Sequence, residues 1–229
     1  LTADGARSKR VGVLRTYSGA GSNPEVDAIL EASILALKES GAEIVDDIEY
    51  EAPNMYDAEY TVLLYEFRAD LNSYLENSGA PVESLQDLIA YNEANSASVM
   101  PVFGQEIFLQ AAEKGPLTDA AYLDALETSK REARAAIDTA IDELQLDALI
   151  APTNGPAWMI DHVNGDNFSV GSSSVAAISG YPNITVPAGQ VAGLPIGISF
   201  IGKPWNEKQL IEIAYAFEQA TKARRAPFN

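Results

Sequence analysis

Three short apolar runs organise the latter part of this chain: 147–151 (Asp147-Ala-Leu-Ile-Ala151), 184–187 (Ile184-Thr-Val-Pro187) and 196–201 (Ile196-Gly-Ile-Ser-Phe-Ile201). Each borders Pro or Gly, and apolar runs of this length between such breakers predict buried strands. The segments between them are rich in small and hydroxylated residues, the usual lining of a loop beside a ligand. Near the start, Ser8 to Leu14 and Ala42 to Ile48 read as two further strands. Between these, Val26, Leu30, Ile34 and Leu37 recur at helical spacing. Asn23 stands as N-cap and Pro24 at the first helical position, where its missing N–H costs nothing. Gly41 stops the helix. Strand, helix, strand is one βαβ unit, which implies a parallel pair and a right-handed crossover.

The middle of the chain is helical. Tyr56 to Asn77 carries a stripe of Tyr60, Leu63, Leu64, Phe67, Leu71, Tyr74 and Leu75, expected to face inward, and Ser78-Gly79 ends it. Ser84 with Asp87 predicts a capped helix to about Asn92. Val102 to Glu113 is a further helix, closed by Gly115-Pro116. Thr118-Asp119 caps a long helix to Leu144, with Tyr122, Leu126, Ala133, Ile137, Ile141 and Leu144 inward. On it Arg134 and Asp138 stand four apart, spacing that suits an ion pair. Asn206 with Gln209 has the capping-box pattern for a last helix, with Leu210, Ala214 and Phe217 inward and Lys222, Arg224 and Arg225 near its negative end. The expected fold is α/β: a mixed, partly parallel sheet covered by helices. Its segments run 1–77 (βαβ unit and long helix), 78–146 (helical) and 147–229 (strands and a helix at a cleft), with a seam near Asn77–Pro81. The βαβ unit cannot bury both its faces alone, so the segments depend on one another.

Composition narrows the function classes. The 229 residues are 47% hydrophobic, enough core for one large domain or two small ones. No apolar run approaches the ~20 residues that cross a bilayer. Leu1-Thr-Ala-Asp-Gly5 has neither a leader pattern nor an initiator Met, so a processed chain or excised domain is expected. A soluble protein is expected, with the compartment left open by the composition and cytoplasmic placed ahead of exported. There are no cysteines and one histidine, His162, which excludes thiolate chemistry and any multi-His metal site. A net charge of −18 argues against nucleic acid and against anionic membrane as partners.

The candidate chemistry is sparse. Gly19-Ala-Gly21 lacks the third glycine of a dinucleotide loop, with Pro24 in its place. Ser172-Ser173-Ser174 lacks the Gly-x-Ser-x-Gly elbow, since position 170 is Val and 174 is Ser. A Ser173–His162–Asp161 triad is arithmetically available, but adjacent side chains diverge and seldom act as orienter and base. The plainer reading makes Ser172 the cap of a helix 173–179 and His162 a loop residue. Asp46-Asp47 and the other acidic pairs read as solvated faces. Asp161, Asn164, Asp166 and Asn167 offer oxygens to a hard cation without the loop spacing or the bidentate Glu such a site needs. Trp158 and Phe168 flank that polar loop and can wall a pocket.

Four blocks together carry a family resemblance: Pro152-Thr-Asn-Gly-Pro-Ala157, Gly171-Ser-Ser-Ser174, Gly180-Tyr-Pro-Asn-Ile-Thr-Val-Pro-Ala-Gly189 and Gly193-Leu-Pro-Ile-Gly-Ile-Ser-Phe-Ile-Gly202. They resemble the amidase signature family, in the half that follows its catalytic signature. Tyr65-Glu-Phe-Arg-Ala-Asp-Leu-Asn72 and Ser84-Leu-Gln-Asp-Leu-Ile-Ala-Tyr-Asn92 are more similar to the peptide-amidase branch than to the tRNA amidotransferase branch. The resemblance implies a Ser–cis-Ser–Lys triad that hydrolyses carboxamides through an acyl-enzyme, with no metal or organic cofactor. The Gly/Ser signature and the upstream lysine are absent from these residues, so no catalytic residue is assigned and this chain alone is expected to be inactive. The resemblance also implies a substrate-binding arginine on the long helix, matched to Arg131 with Arg134 next. Thr153, Asn154, Trp158 and Ser173 are the further substrate-binding candidates. The aspartate that holds glutamine in the tRNA amidotransferases has no counterpart near Val170. The partners implied are the N-terminal catalytic half of the same enzyme and a small amide or peptide-amide substrate. The isolated fragment is expected to self-associate through the face its other half covers. The competing readings are a stand-alone, non-catalytic binding or structural module, and a self-sufficient hydrolase using Ser173 and His162.

Overall fold

The computed structural model describes residues 1–15, 21–46, 48 and 50–226. Gly19, Ala20 and Asp47, which belong to the glycine pair and one acidic pair above, lie outside the described residues. In chain order the elements are β1 (Arg10–Val13), α1 (Pro24–Glu39), β2 (Glu43–Val45), α2 (Met55–Ser78), α3 (Leu85–Ala94) and α4 (Ser96–Val99). There follow α5 (Glu106–Ala112), α6 (Ala120–Leu144), β3 (Ala148–Pro152), α7 (Ser174–Ser179), β4 (Asn183–Val191), β5 (Leu194–Ile201) and α8 (Glu207–Thr221). They form two compact units: Leu1–Ala52 with Glu132–Asn229, and Pro53–Arg131. Residues 77–81 fall inside the second unit.

The first unit holds a sheet in the order β2-β1-β3-β5-β4. β1 runs parallel to both β2 and β3, whereas β5 runs antiparallel to β3 and β4. The mixed sheet is therefore as expected. Alternation decides the faces. Val11, Val13, Ala148, Ile150, Ile198 and Phe200 share one face with Leu30, Ile34 and Leu37 of α1 and Leu210, Ile213 and Phe217 of α8. On the other face there is no room for a side chain at Gly12, where a Cβ would stand 2.5 Å from Leu146 Cδ1 and 2.9 Å from Leu149 Cδ2. All five residues of β3 are buried, as befits the central strand.

Asp147 ties the strand starts together. Its N–H donates to Arg10 O (2.7 Å), its Oδ2 accepts from Arg10 N–H (2.8 Å) and its Oδ1 from Lys9 Nζ (3.0 Å). Its carbonyl accepts from Gln209 Nε2 (2.7 Å), which pins α8. That bond takes Gln209 away from the capping box; Asn206 is the N-cap of α8 but makes no side-chain cap bond. Asn23 does cap α1, its Oδ1 accepting from Glu25 N–H (3.1 Å) and Val26 N–H (3.2 Å). β4 and β5 join through Ala192 and Gly193, both at positive φ (49° and 83°), the conformation that keeps two twisted strands paired across a two-residue turn.

Arg134 and Asp138 do not pair. Arg134 Nε donates to Ser179 O (2.9 Å) and its guanidinium lies 5.9 Å from the Tyr181 ring centre. Asp138 accepts from Tyr181 Oη (2.9 Å) and sits 3.6 Å from Lys203 Nζ. Both side chains serve tertiary contacts, which hold partly buried groups more firmly than an exposed pair along a helix.

The second unit departs further from expectation. On α2 the buried positions are Met55, Ala58, Val62, Leu64, Tyr65 and Leu75, whereas Leu63 and Tyr74 are 54% and 67% exposed. The apolar band is wide enough for two faces, and the core took the one carrying Val62 and Tyr65, which meet Tyr122, and the one carrying Leu64, which meets Leu85, Ile89 and Ala111. The helix expected at 102–113 spans only Glu106–Ala112, and a single turn, Ser96–Val99, precedes it. Gln105 is drawn out of helical register: its Oε1 accepts from Asn92 Nδ2 (3.1 Å) and its Nε2 donates to Ile89 O (3.2 Å). The Ser84 cap is present, with Oγ accepting from Asp87 N–H (3.1 Å).

Candidate functional site at the carboxyl end of the central strand

From β1 the chain crosses by α1 to β2 on one side, and the next strand to join β1 is β3, on the other side. Strand order reverses between β1 and β3, and the carboxyl ends of such a pair open a crevice where α/β sheets bind ligands. β3 reaches that end with Pro152-Thr153-Asn154. Asn154 pairs with Gly171, Gly155 N–H donates to Val170 O (3.0 Å) and Ser172 N–H to Thr153 O (3.1 Å). The chain therefore leaves β3, loops through 156–169 and returns to the same place. A side chain at Gly171 would crowd the loop, its Cβ standing 2.7 Å from Phe168 Cζ and 3.2 Å from Asn154 Oδ1, so one of those side chains would have to swing aside. Ser22, between β1 and α1, donates from Oγ to Ser169 O (3.3 Å) and brings the first crossover to the loop.

A cluster of hydroxyls crosses three strands at this end. Thr153 Oγ1 lies 2.6 Å from Thr185 Oγ1 and 2.9 Å from Ser199 Oγ. Ser199 is buried, Thr153 half-buried and Thr185 exposed, so the line runs from core to surface. A hydroxyl both donates and accepts, so the three can share protons along it. Gly197 makes room: a Cβ there would stand 2.6 Å from Thr185 Oγ1 and 3.0 Å from Thr153 Oγ1. Thr185 and Ser199 were not singled out in the sequence. They are register partners of β4 and β5, and only that register brings them to Thr153.

Ser173 and Ser172 lie beside this cluster. Helix α7 starts at Ser174, with Ser173 as its N-cap making no side-chain cap bond. Ser172, expected as the cap, is instead 1% exposed, and its Oγ finds no hydrogen-bond partner among the described residues. Its N–H is committed to Thr153 O, which draws it to the strand end and away from the helix.

The loop 156–169 is held by its own polar groups. Trp158 Nε1 donates to Asp166 Oδ1 (3.1 Å) and its ring meets Phe168 edge-on at 6.1 Å. Trp158, Met159, Asp161 and Asn164 to Asn167 line an open hollow of about 340 Å³. Asp161 accepts from Asn164 N–H, Asn164 Nδ2 and Val163 N–H, and these bonds hold its carboxyl below the usual range. Both its oxygens anchor the turn, which leaves it poorly placed to orient the adjacent His162. Among the described residues no three acidic or histidine side chains gather as a metal site. Thr153 and Asn154 thus meet the 170–172 backbone at the carboxyl end of β3, Ser173 follows next in the chain, and Trp158 stands in the loop against Asp166 and Phe168. Arg131 is the last residue of the second unit, exposed on α6, while Arg134 is engaged with Ser179 and Tyr181.

The amidase family pattern matches residues 2–211. The chain belongs to the amidase family. It is 37% identical to a probable amidase of Arabidopsis thaliana over 238 residues, covering 99% of this chain and 41% of that protein. It is 33% identical to a glutamyl-tRNA(Gln) amidotransferase component of Moorella thermoacetica, over 94% of this chain and 45% of that one. Among solved structures, the peptide amidase PAM in complex with the competitive inhibitor chymostatin superposes with a TM-score of 0.89 at 43% identity, over 99% of this chain and 46% of that one. Native peptide amidase of Stenotrophomonas maltophilia gives 0.86 at 41% identity, over 98% of this chain and 45% of that one. This amidase chain spans less than half the length of these relatives. Among the described residues no helix is long and apolar enough to cross a membrane.

Proposed function

We propose that this chain is the C-terminal portion of an amidase that cleaves carboxamide C–N bonds, and that it forms one wall of the substrate cleft. The observation that carries this reading is the 43% identity, over 99% of the chain, to a peptide amidase solved with a competitive inhibitor. It is joined by the cluster of hydrogen-bonding groups at the carboxyl end of β3. The chemistry lies in a Ser–cis-Ser–Lys triad upstream of these residues. The nucleophilic serine adds to the carboxamide carbon while its proton passes through the bridging serine to the neutral lysine. The C–N bond breaks, the amine leaves with that proton, and water hydrolyses the acyl ester.

This chain supplies binding. Thr153, Asn154 and Ser173 offer donors and acceptors to the substrate's amide groups, and Trp158 gives an apolar wall with one polar edge. Arg131 is added as a substrate contact on the family resemblance alone. The substrate class is a small amide or peptide amide. Positioning by such groups contributes to rate by holding the carbonyl in line for attack.

The test uses two proteins: the gene product from its own start codon, and the 229-residue chain. Ammonia release from simple peptide amides is expected from the first and not from the second. Turnover by the 229-residue chain would show that the triad is not missing, and no turnover by the longer protein would remove the amidase assignment. In the longer protein, Asn154→Ala is expected to raise KM or lower kcat while Tm moves little, whereas Thr153→Val also strands the buried Ser199 hydroxyl and should lower Tm as well. The isolated chain is expected to self-associate, read by light scattering across a concentration series.

A further inference from the structure

Helix α2 buries two of its faces in its own unit and leaves a third open. Leu63, Phe67 and Tyr74 follow one another at +4 and +7, so they fall on one line of the helix. They are 54%, 37% and 67% exposed. Phe67 also touches Phe108 of α5 at 5.4 Å between ring centres, and Ile107, next to it, is 58% exposed. The line thus borders α5 at Phe108. Isolated exposed apolar residues are ordinary, but a contiguous band marks a surface that something covers.

Charge narrows what covers it. Asp70 lies within the line, and Glu59 stands four residues before Leu63 on its border. Burial raises the Glu59 carboxyl above the usual range, and burial is the one cause of that shift. A second copy of this chain brings the same acidic line and the same net charge of −18, so it is a poorer occupant than a basic partner and covers the line only at high concentration. A partner with basic side chains would relieve Glu59 and pair Asp70. Relatives of this chain are more than twice as long as the part it matches, so a longer protein of this kind has further chain to offer.

We propose that the Leu63–Phe67–Tyr74 line of α2 is an internal interface of the longer amidase. It seats a segment from outside these 229 residues, apolar along its centre and carrying Lys or Arg toward Glu59 and Asp70. This rests on the reading of the chain as part of a longer enzyme.

Hydroxyl-radical footprinting of the longer protein and of the 229-residue chain, both dilute, tests it. Labelling at Leu63, Phe67 and Tyr74 is expected in the short chain and lost in the long one. Equal labelling in both overturns the proposal, as does protection in the long protein that grows with its concentration. Protection within the short chain alone also overturns it, because its own residues would then cover the line. A gene that encodes no residues beyond these does the same. Asp70→Lys separates the charge argument from folding: it should lower Tm in the longer protein and leave the short chain unchanged, and an equal change in both counts against a basic partner. Amide turnover is measured on the same samples. Turnover with an open line sinks only the interface, and a covered line without turnover sinks only the amidase reading.

Discussion

The two compact units expose apolar surface in different places. In the sheet-bearing unit the large side chains Phe200, Phe217, Ile150 and Ile198 are buried almost completely, and what it presents at the end of β3 is a row of hydroxyls. In the helical unit, α2 presents Leu63 and Tyr74 outward while smaller or polar-ended residues such as Ala58 and Tyr65 go in. A strand has only two faces, and here α1 and α8 cover one of them, so alternation leaves little choice. A helix has a continuous circumference, and the helices packed on α2 within its unit cover only part of it. The first unit carries its most exposed apolar side chains, Met159, Ile160, Val163 and Trp205, on loops, whereas the second carries Leu63 and Tyr74 along a helix.

The sharpest way to test that contrast is to truncate one phenylalanine in each unit. Phe200 is fully buried and meets Phe217 edge-on at 5.8 Å, so Phe200→Ala is expected to cost about 3–5 kcal/mol in denaturant unfolding. Phe67→Ala, on the open line but packed on Phe108, should cost about 1–2 kcal/mol in the 229-residue chain. Equal losses would remove the distinction between the units.

A smaller effect is expected at the hydroxyl cluster. Gly197→Ala would place its Cβ 2.6 Å from Thr185 Oγ1 and 3.0 Å from Thr153 Oγ1. Two strands must shift to admit it, which costs about 1–3 kcal/mol. In the longer protein it should lower amide turnover more than Gly79→Ala, which lies in the other unit and meets nothing within 4 Å despite its positive φ.

The smallest effect is electrostatic and belongs to α2. Because burial raises the Glu59 carboxyl, its contribution to stability is present in acid, below the ordinary carboxylate range, and is lost as pH rises through its folded value. Glu59→Gln should therefore raise Tm of the 229-residue chain at neutral pH, with the gain fading toward acid. In the longer protein the same change should lower Tm at neutral pH if a basic residue sits opposite. A gain of the same size in both would blunt the comparison.

Much of the sheet unit was legible because strand pattern and breakers agree. The run 147–151, the Asn23-Pro24 start of α1 and Gly41 each do locally what the fold does globally. The helical unit was less legible for a particular reason. Tyr60, Leu63, Leu64, Phe67, Leu71, Tyr74 and Leu75 form a band wider than one contact face, and the periodicity cannot say which edge of the band packs. At the site, Thr153, Asn154, Trp158 and Ser173 stood out by composition and family resemblance. Thr185 and Ser199 did not, since a threonine and a serine in apolar strands look like any others until their register is known.

The sequence by itself determined the βαβ start, the buried central strand, the acidic surface and membership of the amidase family, because each follows from local pattern or from motifs that survive in linear order. Tertiary structure alone decided that Gln209 holds Asp147 and makes no cap, that Arg134 and Asp138 turn to Ser179 and Tyr181, and that three hydroxyls from three strands meet at one point. The reason is that a polar side chain chooses its partner by distance in space. That distance is set by strand register and helix packing, which no short stretch of chain contains.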